Sequence, residues 1–169
     1  MLVVGLGNPS AKYEHTRHNA GFLALDAFAS DWKTQKKAQA LVTRTASAVF
    51  AKPQTFMNRS GEAVRALCDW FHVPSERCIV VHDDADLPFG DVRVKHGGGT
   101  AGHNGLKSIT AHLGSEDFWR VRIGIGRPQN PSAPLDRYVL EPWSAEQEAA
   151  LPDVVKRAAT EINRLLNTL

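Results

Sequence analysis

The sequence of 169 residues predicts an α/β fold, a single domain with a mixed, mostly parallel, twisted sheet and helices on both faces. Two observations support this fold class. Short apolar segments typical of strands alternate along the chain with segments whose apolar residues recur at helical spacing. Two strand-like segments follow each other closely, as in a hairpin, so the sheet should include antiparallel strands. Because no repeat, low-complexity segment or long linker divides the chain, residues 1–169 are expected to form one domain.

The individual elements follow from apolar residues three and four positions apart in helices and from apolar, β-branched runs in strands. In chain order they are a strand at 2–7, a helix at 19–32, two strands within 39–53 with a turn near Ala46 and Ser47, a helix at 61–72, a strand within 78–90 that runs into a polar turn, a short strand at 91–97, a helix at 104–114, a strand at 118–126 and a helix at 144–167. The second helix should end before Pro74, Gly114 should close the third, and the last should be interrupted or begin at Pro152.

The composition is that of an ordinary globular protein. Hydrophobic residues make up 43% and charged residues 22% of the chain, and no apolar run approaches the roughly 18 residues of a membrane span. We expect a cytoplasmic protein with two reduced cysteines, because the N-terminus lacks the features of a signal peptide. The net charge of +2 argues against a globally basic nucleic-acid-binding protein. Basic residues do cluster in two stretches. Judged from charge alone, such clusters are most often ordinary solvated surface. These stretches contain Lys33, Lys36, Lys37, Arg44 and Lys52, and Arg93, Lys95, His96, His103 and Lys107, respectively.

Two glycine-rich stretches are candidate binding loops. "GLGNPS" follows the first strand, but Ser10 replaces the third glycine of the dinucleotide-binding pattern and the helix begins too late. A tight turn that presents the Asn8 side chain is therefore favoured over a nicotinamide or flavin site. "KHGGGTAGHNGLKS" precedes a helix, where backbone N–H groups could receive a phosphate beside neighbouring lysines and histidines. A mobile turn with Asn104 as the helix cap explains the same residues, and both interpretations stay open.

Histidines and aspartates in two loops could activate water or hold a metal. "HDDADLP" ends a strand with His82 and three aspartates, but adjacent strand residues point to opposite faces. One carboxylate aimed into the site is therefore favoured over a Mg²⁺ or Zn²⁺ ion. His15 and His18 could share an ion on one helical turn, yet His15 precedes Thr16, a good N-cap, which puts it in a loop. The positive end of the helix should keep His18 neutral, as a general base must be.

A side-chain nucleophile is not indicated, because no G-x-S-x-G turn is present and neither cysteine is expected at an exposed, electropositive position. The loop "KPQTFMNRSG" instead offers Phe56 and Asn58, an apolar contact beside an amide. A His–Asp pair without a nucleophile indicates activation of water, and loop amides can bind the oxygen of a carbonyl group. The residues therefore predict a water-activating hydrolase for a substrate that carries phosphate.

Four segments together resemble the signature blocks of bacterial-type peptidyl-tRNA hydrolases, in the family's order and at its spacing. They are "VVGLGNPSAKYEHTRHNAGF", "KPQTFMNRSGEAV", "VVHDDADLPFGDVRVKHGGGTAGHNGLKSI" and "FWRVRIGIGRP", and the resemblance extends to about residue 143. It implies one compact α/β domain that acts as a monomer without metal or cofactor. It also implies hydrolysis of the ester that joins a peptide to the terminal ribose of a prematurely released tRNA, so peptidyl-tRNA is the expected partner.

The resemblance implies roles for individual residues. His18 in "TRHNAG" matches the catalytic base, and Asp83, the first aspartate of "HDDAD", matches the residue that orients it. Asn8 in "GNP" matches the asparagine that helps to discriminate peptidyl from free aminoacyl groups. The other matches are Asn58 and Asn104, which position substrate and water, and Tyr13 and Phe56, which contact the tRNA acceptor end. Lys95, His103 and Lys107 are expected to meet phosphates nearby.

Several positions depart from the family pattern. Ser10 and the pair Thr100–Ala101 stand in loops where glycine or a smaller or more polar pair is common, and Asp84 stands where glutamate is usual. The last residues, "EINRLLNTL", stop before the family's basic C-terminal segment, which indicates either weaker tRNA binding or a sequence that is part of a longer chain. Two other function classes stay open. A non-catalytic RNA-binding protein would need neither His18 nor Asp83, whereas a metal-dependent esterase or phosphatase would use the histidines and aspartates as ligands.

Overall fold

The computed structural model describes residues 1–169 as one seven-stranded sheet packed between helices. The sheet order is β2-β3-β4-β1-β5-β7-β6. The four central strands, β4, β1, β5 and β7, are parallel, and the other three join the sheet antiparallel. The strands are β1 (Leu2–Gly5), β2 (Lys33–Gln35), β3 (Ala40–Arg44), β4 (Val49–Pro53), β5 (Cys78–Asp84), β6 (Val92–His96) and β7 (Trp119–Gly124). The predicted mixed α/β sheet is confirmed.

Helices cover both faces of the sheet, as predicted. They are α1 (Ala20–Leu25), α2 (Ser60–Phe71), α3 (Asn104–Leu113), α4 (Leu135–Tyr138) and α5 (Ala145–Thr168). The α2 and α3 helices pack on the face that carries Val4 and Val80, whereas α1 and α5 pack on the face that carries Val3 and Val81. Two apolar layers thus follow directly from the alternation of side chains along β1 and β5. None of the helices is both long and apolar enough to cross a membrane.

Two helices end where the sequence places their ends. The α2 helix is followed by His72 in the left-handed conformation, with a φ of 53°, two residues before Pro74. The α3 helix is closed by Gly114, whose φ is 68°. The predicted cap at the start of α3 is wrong, because His103 occupies the N-cap position and Asn104 is the first helical residue. A histidine is an uncommon cap, so the sequence favoured the asparagine beside it.

Two predicted helices differ from the observed ones. The helix predicted for 19–32 ends at Leu25, since the following turn brings the Phe28 ring onto Phe50, with 4.6 Å between ring centroids. The predicted interruption at Pro152 is also wrong: α5 continues through this residue. Packing of its buried face against the sheet offsets the hydrogen bond that proline cannot donate. The short elements β2 and α4 were not predicted.

Two glycines let α1 lie directly on the sheet. A Cβ atom at Gly21 would lie 2.3 Å from the carbonyl oxygen of Val81 and 2.4 Å from the nitrogen of Leu6. A Cβ atom at Gly5 would lie 2.4 Å from the Gly21 carbonyl oxygen. Helix and strand backbones are therefore in contact here, which only glycine permits. This contact sets the depth of His18, three residues before Gly21, at the ends of β1 and β5.

Candidate active site

The candidate site lies at the carboxyl ends of β1, β4 and β5. These strands are parallel, so the segments that follow them meet at one edge of the sheet. Asn8 follows β1, Met57 follows β4, and β5 ends with Asp83 and Asp84. The start of α3 packs against the first two loops, because a Cβ atom at Gly105 would lie 2.6 Å from Met57 Sδ. Residues from distant parts of the sequence are thereby brought together.

His18 and Asp83 form a buried hydrogen-bonded pair. His18 lies in a single 3-10 turn before α1, where its backbone N–H donates to the Val139 carbonyl at 2.8 Å. Its ring Nδ1 is 3.0 Å from Oδ1 and 2.9 Å from Oδ2 of Asp83. An ionised carboxylate only accepts hydrogen bonds, so Nδ1 carries the proton. Nε2 has no partner within the chain, which leaves it free to accept a proton.

Each member of the pair shifts the pKa of the other toward its charged form. Burial lowers the pKa of His18, but the charge and hydrogen bond of Asp83 outweigh burial and raise this pKa above its ordinary value of 6.5. Burial likewise raises the pKa of Asp83, but His18 and His103 prevail and lower it well below its ordinary value. The sequence led us to expect that the helix terminus would disfavour the imidazolium and so lower this pKa; the shift has the opposite direction, because Asp83 favours the charged ring.

His103 is the second ring bound to Asp83. Its Nδ1 accepts hydrogen bonds from the backbone N–H groups of Gly105 at 3.1 Å and Leu106 at 3.4 Å, which caps α3. The proton must then reside on Nε2, which donates to Asp83 Oδ1 at 3.0 Å. Both ring nitrogens are thus engaged within the chain, which leaves none for the phosphate contact predicted from the sequence. His103 instead ties α3 to the carboxylate that holds His18.

His82 lies behind this cluster. Its Nδ1 donates to the Asp83 backbone carbonyl at 2.7 Å, and its ring packs edge-on against His103 with 5.0 Å between centroids. Burial and the neighbouring His103 lower the pKa of His82 to about 3, so this ring stays neutral. Although His82 and Asp83 are adjacent in β5, both side chains contact His103, His82 through ring packing and Asp83 through a hydrogen bond, so the expected separation onto opposite faces does not keep them apart here.

Three side chains could in geometric terms hold a metal ion. The nearest ligand atoms of His18, Asp83 and His103 lie within 4.8 Å of one another. The hydrogen bonds already pair these atoms, and an ion would have to displace both imidazole protons and break the cap of α3. His15 and His18 do not share a site either, because the His15 side chain is 74% exposed and approaches Glu148 at 3.9 Å.

Asn8 is held so that its amide N–H₂ group remains free. The backbone N–H of Met57 donates to Asn8 Oδ1 at 2.8 Å. The Asn19 side chain makes two hydrogen bonds to the Asn8 backbone: its Oδ1 accepts from the Asn8 N–H at 2.9 Å, and its Nδ2 donates to the Asn8 carbonyl at 3.0 Å. The Asn8 Nδ2 group has no partner within the chain. A buried amide donor is therefore fixed in orientation, and sequence reasoning missed Asn19, the residue that fixes it.

The other predicted contacts surround this centre at the surface. Phe56 is 54% exposed and meets Tyr13 edge-on, with 6.4 Å between ring centroids. The side chains of Asn58 and Asn104 are exposed, and neither makes a hydrogen bond within the chain. Their donors and acceptors are thus available to a ligand.

A cavity of about 230 Å³ opens beside the two imidazoles. Among the predicted residues it is lined by His18, Asp83, Lys95, His103 and Asn104, whereas Lys107 lies exposed on the first turn of α3 and does not line it. Its wall also contains three arginines that sequence reasoning missed: Arg120, Arg122 and Arg127.

Alternation along "FWRVRIGIG" is the signal that could have found two of these arginines, because it places Arg120 and Arg122 on one face of β7. Aspartates neutralise two of the three. Arg122 donates to Asp84 at 2.8 Å, and Arg127 donates to Asp86 at 2.5 Å.

Comparison with known proteins is consistent across sequence and structure. The family model described as peptidyl-tRNA hydrolase matches residues 2–169. A peptidyl-tRNA hydrolase of Nocardia farcinica is 46% identical, covering 98% of this chain and 89% of the relative. One from Thiobacillus denitrificans is 47% identical over 93% of this chain and 79% of its own length. The crystal structure of peptidyl-tRNA hydrolase from Acinetobacter baumannii superposes with a TM-score of 0.90 at 31% identity, covering 99% of this chain and 88% of that one.

Proposed function

Since the chain belongs to the peptidyl-tRNA hydrolase family, we propose that it hydrolyses the ester bond between a peptide and the 3′ ribose of tRNA. This reaction recycles tRNA from prematurely released peptidyl-tRNA. The observation that carries the proposal is the His18–Asp83 pair, whose free imidazole nitrogen adjoins an open cavity. No side-chain nucleophile is needed, because water attacks the ester directly.

His18 acts as the general base. Its Nε2 takes a proton from a water molecule as the water oxygen attacks the ester carbonyl, and the imidazolium formed is stabilised by Asp83. The proton then passes to the ribose oxygen as the carbon–oxygen ester bond breaks, which releases the free peptide acid and the tRNA. Asp83 keeps the proton on Nδ1 and the ring in place throughout. Its low pKa keeps it ionised over the working range of pH.

Asn8 and Asn58 hold the peptide end and the carbonyl oxygen. The free Nδ2 of Asn8 supports this role, because its orientation is set by Met57 and Asn19 before substrate arrives. A preorganised donor stabilises developing negative charge better than water does. Asn104, at the rim of the cavity, helps to place the attacking water and the acceptor end.

The tRNA is held through its backbone and its end rather than its sequence. Lys95 on the cavity wall and Lys107 on α3 meet phosphates, while the half-buried Tyr13 and the exposed Phe56 provide rings for the acceptor end. Such contacts suit an enzyme that must accept many tRNAs. We propose that residues 1–169 work as one domain, as a cytoplasmic monomer that needs neither metal nor cofactor.

A paired substrate assay tests the function. The chain is incubated with an N-acetylated aminoacyl-tRNA and, separately, with the same aminoacyl-tRNA unblocked, and the released amino acid is measured. We expect release from the blocked substrate alone. Equal rates on both substrates, or none on either, would contradict the proposal.

Replacement of the base tests the mechanism. His18→Ala should lower kcat by about 10²–10⁴-fold, the usual contribution of a general base. Its circular dichroism spectrum should match that of the unsubstituted chain. Full activity in this variant would exclude His18 as the base.

A further inference from the structure

Arg120 is a buried cation without a carboxylate partner. The residue is 2% exposed, and its two terminal nitrogens donate to the backbone carbonyls of Gly99, at 2.6 Å, and Gly98. Its Nε is buried without a hydrogen-bond partner. The other two arginines of the cavity wall each pair with an aspartate, whereas Arg120 meets two carbonyl dipoles and the Phe118 ring, whose centroid lies 4.8 Å from the guanidinium carbon. An unneutralised buried charge is costly, so its location requires an explanation.

The two carbonyls determine where the neighbouring amides point. In a trans peptide, the C=O of one residue and the N–H of the next point in opposite directions. Since the carbonyls of Gly98 and Gly99 both point at the guanidinium, the N–H groups of Gly99 and Thr100 point away from it. Neither N–H donates within the chain. The outer side of the loop is open, because a Cβ atom at Gly99 would meet nothing within 4 Å.

The ammonium group of Lys95 lies beside these amides. A Cβ atom at Gly98 would lie 2.7 Å from Nζ of Lys95, so the ammonium group rests against the loop. Gly98 itself has a φ of 92°, a conformation that allows successive amides to form a concave surface. Two free N–H groups next to an ammonium group form a surface that suits an anion.

We propose that Arg120 is a positioning residue that turns the peptide planes between Gly98 and Thr100, so that the N–H groups of Gly99 and Thr100 bind a phosphate group of the RNA substrate. The identification of the anion as a substrate phosphate rests on the proposed function, whereas the direction of the amides does not. Arg120 is covered by the loop and acts through it.

Amide NMR with inorganic phosphate tests the geometry directly. In the unsubstituted chain, phosphate should shift the amide resonances of Gly99 and Thr100. In Arg120→Gln the affinity measured from these resonances should fall roughly tenfold, the effect of losing a well-placed hydrogen bond to a charged group. Arg93 lies on the adjacent β6, and its exposed guanidinium pairs with Asp91. Arg93→Gln, which removes this guanidinium, should leave the phosphate affinity unchanged.

A second variant guards against misfolding. Arg120→Lys keeps the positive charge but cannot bond two carbonyls as a planar fork does, so it should weaken the phosphate response while preserving the fold. Unchanged Gly99 and Thr100 responses in both Arg120 variants would overturn the proposal. The proposal would also be overturned if phosphate shifted neither amide resonance of the unsubstituted chain. If a bulky monovalent anion shifted both resonances as much as phosphate does, the site would bind an adventitious ion only, which would overturn it too.

Kinetics then connect the loop to the substrate. With N-acetylated aminoacyl-tRNA, Arg120→Gln should raise KM roughly tenfold and leave kcat within about twofold, because the phosphate contact is made in both ground and transition states. An unchanged KM, or a loss confined to kcat, would overturn the assignment to substrate binding. A chain that binds phosphate through this loop but fails to hydrolyse any blocked substrate would refute the proposed function alone.

Discussion

Replacing Asp83 by asparagine removes the charge that connects both imidazoles. In the native chain the carboxylate accepts from His18 Nδ1 at 2.9 Å and from His103 Nε2 at 3.0 Å. Asparagine offers a single acceptor oxygen, and its other terminal atom is itself a donor. One of the two imidazole N–H groups therefore loses its partner. Because His103 is also held by the cap of α3, we expect His18 to lose its orientation.

The size of the effect follows from the lost contact. A hydrogen bond to a charged group contributes about 1.5–3 kcal/mol. If this is lost from the transition state, kcat should fall about 10- to 150-fold. The pH dependence should change as well. The general base must be unprotonated, so native activity falls as pH drops through a His18 pKa that Asp83 holds above 6.5. Without the charge, burial dominates, and this pKa should move below 6.5.

Initial rates on N-acetylated aminoacyl-tRNA between pH 5 and 9 measure both effects in one experiment. The Asp83→Asn variant should be slower at neutral and alkaline pH, where the base is unprotonated in both chains, and the acidic limb of its kcat/KM profile should lie at lower pH than in the native chain. Asp91→Asn provides a matched control, because Asp91 is ion-paired to exposed Arg93 and does not line the cavity. Native kcat in Asp83→Asn, or an acidic limb that does not move, would refute the assignment of Asp83.

Three further changes have defined outcomes. Ser10 has φ 92° and ψ 151°, a conformation that strains a non-glycine residue. Ser10→Gly should therefore raise the free energy of unfolding by about 1 kcal/mol and raise Tm by about 2–4 °C. Ser10→Ala, which keeps the strain, should give no such gain, and equal Tm values for the two variants in calorimetry would contradict this. Asn19→Ala, which frees the Asn8 backbone, should lower kcat/KM on the blocked substrate roughly tenfold, and an unchanged kcat/KM would exclude a positioning role for Asn19. Prolonged EDTA treatment should leave activity unchanged, and a loss that added metal restores would favour a metal-dependent esterase.

Much of the fold could be read from local patterns. The limits of α2 and α3 were predictable because an apolar stripe and a breaking residue, Pro74 or Gly114, coincide there. The end of α1 was not, since the stacking of Phe28 on Phe50 overrides helical spacing in the sequence. The three-residue β2 and four-residue α4 are too short to carry a periodic signal.

The site was predictable only in part. His18, Asp83 and Asn8 were identified through a resemblance, and the structure places the first two in contact. The contribution of His103 to this contact could not be foreseen, because its tautomer depends on the cap of α3, a three-dimensional feature. The direction of the His18 pKa shift was wrongly predicted for a related reason: Asp83, 65 residues away in the sequence, raises this pKa, and its contact with His18 exists only in the folded chain.

The contact of Gly21 with β1 and β5 makes the catalytic geometry depend on a residue that has no functional group. Adding one methyl group at this position would force α1 away from the sheet and draw the imidazole three residues earlier off its carboxylate. Activity should then be lost through displacement alone, with every reactive group still present. Searches for inactive variants of this chain should therefore recover substitutions at Gly5 and Gly21 as readily as substitutions of the histidine itself.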